Sequence, residues 1–277
     1  MMHFLKAKKG ENIMKKQVFN LSEVKGIFPL LKIRRGVGVR SDKNAFTLAE
    51  VLITLGVIGV IAAMTLPSVI KHYQQQATVN QLKKAYSEFS QALHKAEVDN
   101  GLMETWNFAN LTTPLEKATY FGENYLFPYI KTVEKCVPSS NKCWTDKITN
   151  VSGNVLGESS DLSNTKQTRV SFVTASGYSG YYWISASGTN MWYWIDLNGP
   201  QKGPNKIGRD IFAFQAGWGT SSQLGKLSSG AIINNLTRDE MITQGCSRIN
   251  ALGYSDGRYC GALIMYDGWK IGEGYPW

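Results

Sequence analysis

At 277 residues, 43% hydrophobic, with 8 Trp and 13 Tyr, the chain can bury one sizeable core or two small ones; this composition excludes a disordered polymer. A net charge of +9 points to nucleic acid or an anionic surface only until it is mapped. Residues 1–45 hold 11 Lys/Arg against 3 Asp/Glu, the remainder is close to neutral, and no nucleic-acid partner is expected.

The basic stretch 1–45 contains apolar pieces such as Ile27–Leu31 that are too brief to span a bilayer. Phe46–Ile70 follows, 25 residues with one charge, Glu50, which is long and apolar enough to cross. Arg34, Arg35, Arg40 and Lys43 crowd its N-terminal side, so the positive-inside rule places that end in the cytoplasm and everything after Ile70 outside. A cleaved secretory signal is the competing reading. The apolar run is too long for one, and no convincing small-x-small cleavage site follows it.

The helix is expected to continue. Leu82, Tyr86, Phe89 and Leu93 recur at i, i+4, i+7 and i+11, while Lys83, Lys84, Glu88 and Lys95 occupy other faces. Gly101, after Asp99 and Asn100, is the stop. Residues 46–70 therefore read as a span, 71–100 as its amphipathic continuation and 101–277 as an extracytoplasmic head.

Residues 102–167 look irregular, with Pro114, Pro128 and Pro138. Arg169–Thr174, Tyr181–Ser185 and Met191–Ile195 are rich in β-branched and aromatic residues, and Ser187–Asn190 is the turn of a hairpin. Ile211–Phe214 and Ala262–Tyr266 are further predicted strands. A helix followed by hairpins implies an α+β head, an antiparallel sheet packed on the amphipathic half-helix.

The junction of leader and helix reads Asn44-Ala45-Phe46-Thr47-Leu48-Ala49-Glu50. It resembles the prepilin cleavage and methylation motif of the type IV pilin and type II secretion pseudopilin family. The resemblance implies a type IV pilin-like fold, cleavage of the Ala45–Phe46 bond by prepilin peptidase, removal of leader 1–45 and methylation of the new amine on Phe46. The family usually has Gly before the cut, where this chain has Ala45, and the leader is long for the class, although Met14 is an alternative start. Glu50 becomes the fifth mature residue, where the family carries its Glu, and Pro67 the twenty-second, where many members carry Pro. The implied partners are like subunits in a helical filament, the peptidase, an assembly platform with its ATPase, and membrane lipid. The implied location is the bacterial inner membrane, then a periplasmic or surface filament.

Elementary physics gives these positions work of their own. A carboxylate within an apolar span is costly unless paired, and the span offers Glu50 no basic partner. The amine of Phe46, its own or a neighbour's, would serve, which makes Glu50 a register device for assembly. The bland alternative is a Glu hydrated at the membrane interface. Pro67 lacks an N–H and weakens the helix turn before it, either as an ordinary kink or as a joint that lets helices repack.

Cys136, Cys143, Cys246 and Cys260 all follow the span, as an oxidising compartment would require. Three pairings are open; short local loops favour Cys136–Cys143 with Cys246–Cys260. Zinc is disfavoured, because neither pair has CxxC spacing and His72 and His94 sit on the helix. In residues 196–210, Asp196, Asn198, Asn205 and Asp210 supply hard oxygens of the kind Ca2+ takes, though not at EF-hand spacing; their alternative use is to cap turns. No other cofactor is indicated. The loop, and the ending Asp267–Ile271 with Tyr275–Trp277, also resemble those of bacterial prepilin-type proteins.

Three functions are open at this level. The first is a filament subunit. The second is a membrane-anchored minor pilin or adhesin, whose Tyr181–Trp183 and Trp192–Trp194 stack a ligand unless the two strands bury them. The third, an enzyme, is disfavoured by three His and the lack of a nucleophile–base arrangement.

Overall fold

The structure is a computed structural model that describes residues 46–145, 147–156, 166–217, 235–248 and 257–277. Leader 1–45, with Ala45 and the basic flank, lies outside the described residues. Contacts divide the chain into two units, Met1–Leu55 and Gly56–Trp277.

Helix α1 runs Leu48–Asn100, and among the described residues it is the one helix long and apolar enough to cross a membrane. It stops where Gly101 takes φ +84°, a conformation that an L side chain resists. Its buried residues are Val79, Leu82, Ala85, Phe89, Ala92, Leu93 and Ala96, a stripe at three- and four-residue spacing. From Phe46 to Gln74 every residue is exposed, Val57, Ile58, Ile61 and Leu66 included.

Helix α2 (Pro114–Phe121) begins with a capping box between Thr113 and Glu116, has Pro114 in its first turn, and runs into a π-helical turn, Gly122–Leu126. The sheet is a meander in the order β1-β2-β3-β4-β5: Thr132–Cys136, Val170–Thr174, Ser179–Ile184, Asn190–Asp196 and Ile211–Gly217. All neighbours are antiparallel. β1 is an edge strand whose register slips between Thr132 and Glu134, and Val133, Glu134 and Lys135 are exposed. Helix α3 (Arg238–Gly245) opens with a second capping box, Thr237 with Glu240.

Alternation along the strands sorts the aromatic residues onto two faces. Tyr182, Tyr193, Phe172, Phe212 and Phe214 join the main core with the buried stripe of α1, and Phe89 stacks on Tyr193 with ring centroids 3.8 Å apart. Gly180 permits this packing, since a Cβ there would stand 2.3 Å from the Phe172 ring and 2.9 Å from Tyr193. The opposite face packs Trp144, Ile148, Tyr181, Trp194, Ile207 and Ile211 into a second, smaller core. Trp183 and Trp192, half-buried, stack there at 6.0 Å, with Arg169 over Trp183 at 4.3 Å.

Helix α4 (Cys260–Tyr266) replaces the strand predicted over Ala262–Tyr266. Its run of Cys260–Ile264 is buried throughout, so no alternation exists to separate strand from helix. β1 and α2 fall in the stretch read as irregular. The helix-then-sheet architecture is the α+β, type IV pilin-like arrangement expected.

Candidate functional site: the processing motif and the loop after β4

Two places in the chain gather the residues singled out by sequence. At the start of α1, Thr47 N–H and Oγ1–H both donate to Glu50 Oε2, at 2.8 and 3.0 Å, while Glu50 N–H donates to Thr47 Oγ1 at 3.2 Å. This reciprocal pattern is a capping box. Among the described residues no cation pairs with Glu50; its carboxylate satisfies orphan donors of the helix end instead. Phe46 is 86% exposed just ahead of it, and Ala45 lies outside the described residues. Helix α1 continues through Pro67, whose missing N–H leaves the carbonyl of Ala63 without its usual helical donor.

The second place is the connection from β4 to β5. Pairing of Asp196 with Ile211 closes the hairpin and brings the two ends of residues 196–210 together. Asp210 anchors the loop: its carboxylate accepts from Asn205 N–H at 2.8 Å, from Lys206 N–H at 2.6 Å and from Asn198 Nδ2–H at 3.3 Å. Asp196 Oδ1 accepts from Asn198 N–H at 3.2 Å. Asn205 Nδ2 donates to Thr145 Oγ1 at 3.2 Å, and Asn198 Nδ2 also reaches the Gly203 carbonyl. Asp196 is fully buried, Asp210 nearly so. Burial, then the charge of Asp210, pushes the Asp196 carboxyl up to about 7. Burial likewise raises Asp210, against the hydrogen bonds that lower it.

This loop also meets α1, at residues the sequence did not single out. Arg209 Nη2 donates to Gln74 Oε1 at 3.3 Å, and its guanidinium lies 4.9 Å from the Trp277 ring centroid. An open pocket between loop and helix is lined by Tyr73, Gln74, Asn198, Arg209, Asp210 and Trp277. The tail aromatics are structural: Trp269 packs on Tyr86, and buried Tyr275 donates its hydroxyl to the Gly208 carbonyl. No spacing rule links residue 209 to residue 74, so only the fold reveals that contact.

The four cysteines form two bonds, Cys136–Cys143 and Cys246–Cys260, across sequence separations of 7 and 14. The first lies beside the loop, where Gln201 Nε2 donates to the Asn141 carbonyl. The second ties α3 to α4. Of the six aromatics considered as a binding platform, Tyr181, Tyr182, Tyr193 and Trp194 are core residues.

Residues 40–66 match the prokaryotic N-terminal methylation motif, the prepilin motif of type IV pilins and pseudopilins, which together with the fold defines a structural, pilin-like class of protein. The apolar helix that follows fits a membrane-anchored pilin. Within that class the chain belongs to a family of unknown function, DUF6613, whose model matches residues 68–277. No curated protein and no solved structure matches it.

Proposed function

We propose that the protein is a structural subunit, a prepilin or pseudopilin, of a type IV pilus or type II secretion pseudopilus. Prepilin peptidase cuts before Phe46 and methylates the new amine, the head lies outside the cytoplasm, and a platform and ATPase draw the subunit into a filament of like copies. One observation carries this reading: the prepilin motif leads straight into a helix whose first turns bury no side chain from Phe46 to Gln74. The apolar residues exposed along 46–70 need a cover that the described residues do not provide, and lipid and then neighbouring helices supply it in turn.

The capping box refines the role of Glu50. In the subunit alone Thr47 holds the carboxylate; in the filament the methylated amine of a neighbour's Phe46 takes it over, and a subunit docked at the wrong height gains no such partner. The adhesin alternative retains only Trp183 and Trp192 as accessible rings, since their neighbours in sequence are buried.

N-terminal peptide mass spectrometry on membrane-derived protein tests the proposal. The expected result is a mature chain beginning with N-methylated Phe46. A chain that keeps residues ahead of Phe46 would reduce the protein to a single-span anchor with an outer head, and the proposal would fall.

A further inference from the structure

We propose that the part of the head flanking α1 just beyond the apolar run is a seat for anionic phospholipid headgroups. In it Lys71, Arg209 and Lys270 face the phosphates, and Tyr73, Trp269 and Trp277 lie at the interface. The inference rests on the membrane-anchored reading of α1 and extends lipid contact from the helix to the head.

Height along the helix decides the partner. The apolar run ends at Ile70, and an α-helix rises about 1.5 Å per residue, so Gln74 stands about 6 Å beyond that end. The headgroup layer on one side of a bilayer is about 5–7 Å deep. Side chains that the head brings to residues 71–74 are therefore level with the phosphates when the run fills the hydrocarbon. Two parts of the head reach that level, on roughly opposite faces of α1. His72, Gln75 and Gln76 share one face, where an open pocket is also lined by Trp269 and Lys270. Tyr73, Gln74 and Ala77 share the other, where the lining includes Arg209 and Trp277. Printed contacts hold these groups in place: Arg209 Nη2 donates to Gln74 Oε1 and lies over the Trp277 ring, while Trp269 packs on Tyr86.

The chemistry suits an interface. Lys71 and Lys270 are exposed, and among the described residues neither forms an ion pair. Tyr73 is 72% exposed, and a ring with a polar tip directly after an apolar run gains by lying among headgroups. Trp269 and Trp277 are half-buried, each with one side packed and the other open. More positive charge stands behind Arg209. Burial, then the charges of Arg248 and Arg209, lowers the Lys206 ammonium. The carboxylates at this end of the head are engaged: Asp210 by backbone N–H groups of its own loop, Asp267 by Arg238. Against these cations residues 269–277 set one acidic side chain, Glu273. Lys and Arg are phosphate donors, and the screening length of about 8 Å at physiological ionic strength confines their effect to the headgroup layer. The lysines higher on α1, from Lys83 onward, stand about 20 Å beyond Ile70, more than two screening lengths away, and take no part.

The test uses the full-length protein, one chain per nanodisc, in phosphatidylcholine alone and in phosphatidylcholine mixed with phosphatidylglycerol. Backbone hydrogen exchange is followed by mass spectrometry. Peptides covering 203–211 and 267–277 should exchange about fivefold more slowly in the mixed discs, and the difference should vanish at about 1 M salt. Lys71 and Lys270 carry no hydrogen bond or ion pair among the described residues, so Lys71→Gln with Lys270→Gln should erase most of the difference and leave the melting temperature unchanged. Lys83→Gln with Lys95→Gln removes the same charge at the wrong height and should preserve it. Equal exchange in the two lipids, or the same loss in both double variants, overturns the seat and leaves the anchored helix standing. A chain that enters neither kind of disc overturns the anchored reading, and the seat with it.

Discussion

Between Gly56 and Ile70, α1 turns Val57, Ile58, Val60, Ile61 and Leu66 outward with none of the described residues burying them, whereas between Val79 and Ala96 it buries Leu82, Phe89, Leu93 and their neighbours against the sheet. Both stretches are helical and both are built on aliphatic residues. They differ in pattern: the first is apolar all round, the second is a stripe interrupted by Lys83, Lys84, Glu88 and Lys95. A uniform surface suits a uniform environment such as lipid or a bundle of identical helices, and a stripe suits one fixed partner. Stability of the head therefore resides in the second stretch and assembly in the first.

Substitutions should separate the two roles. The largest loss of stability is expected for Phe89→Ala, about 3–5 kcal/mol by thermal or denaturant unfolding of the detergent-solubilised protein, because it empties the site stacked on Tyr193. Replacement of Cys246 and Cys260 by Ser follows at about 3 kcal/mol, from freeing a loop of separation 14. Gly180→Ala should cost about 1–3 kcal/mol by overpacking Phe172 and Tyr193, measured the same way. Ile61→Asn, on the exposed stretch, should leave the unfolding of the head unchanged and abolish recovery of the protein in sheared filaments. An unchanged filament yield would erase the division between the two stretches. Glu50→Ala should leave cleavage before Phe46 intact and reduce incorporation; wild-type incorporation would remove its register role.

The length and end of α1 were legible because periodicity and Gly101 gave independent signals, and four of the five strands were legible from their β-branched and aromatic content. Other signals were present and unused. Thr-x-x-Glu occurs at Thr47–Glu50, Thr113–Glu116 and Thr237–Glu240, and each is a capping box in the structure. The first coincides with the processing motif, and Pro114 in the first turn reinforces the second. β1 escaped because its outward Val-Glu-Lys carries no alternation, and α4 because unbroken burial erases period. At the loop, the donor types could be read from sequence, but not that Asp196 and Asp210 converge. Hairpin closure does that, and it depends on the pairing of β4 with β5. The contact of Arg209 with Gln74 spans 135 positions, and no local rule reaches so far.

The edge strand β1 has a consequence for how copies of this chain meet. An open sheet edge is a template for unwanted pairing, and crowded subunits would offer such edges to one another at high local concentration. Here the edge is short, its ladder slips at Thr132–Glu134, its outward residues include a charge of each sign, and Pro138 follows within two residues. Each of these discourages β-augmentation, and together they guard this edge of the sheet against a cross-β route to polymerisation. Growth by the helical stem then meets no competition from strand pairing at this edge.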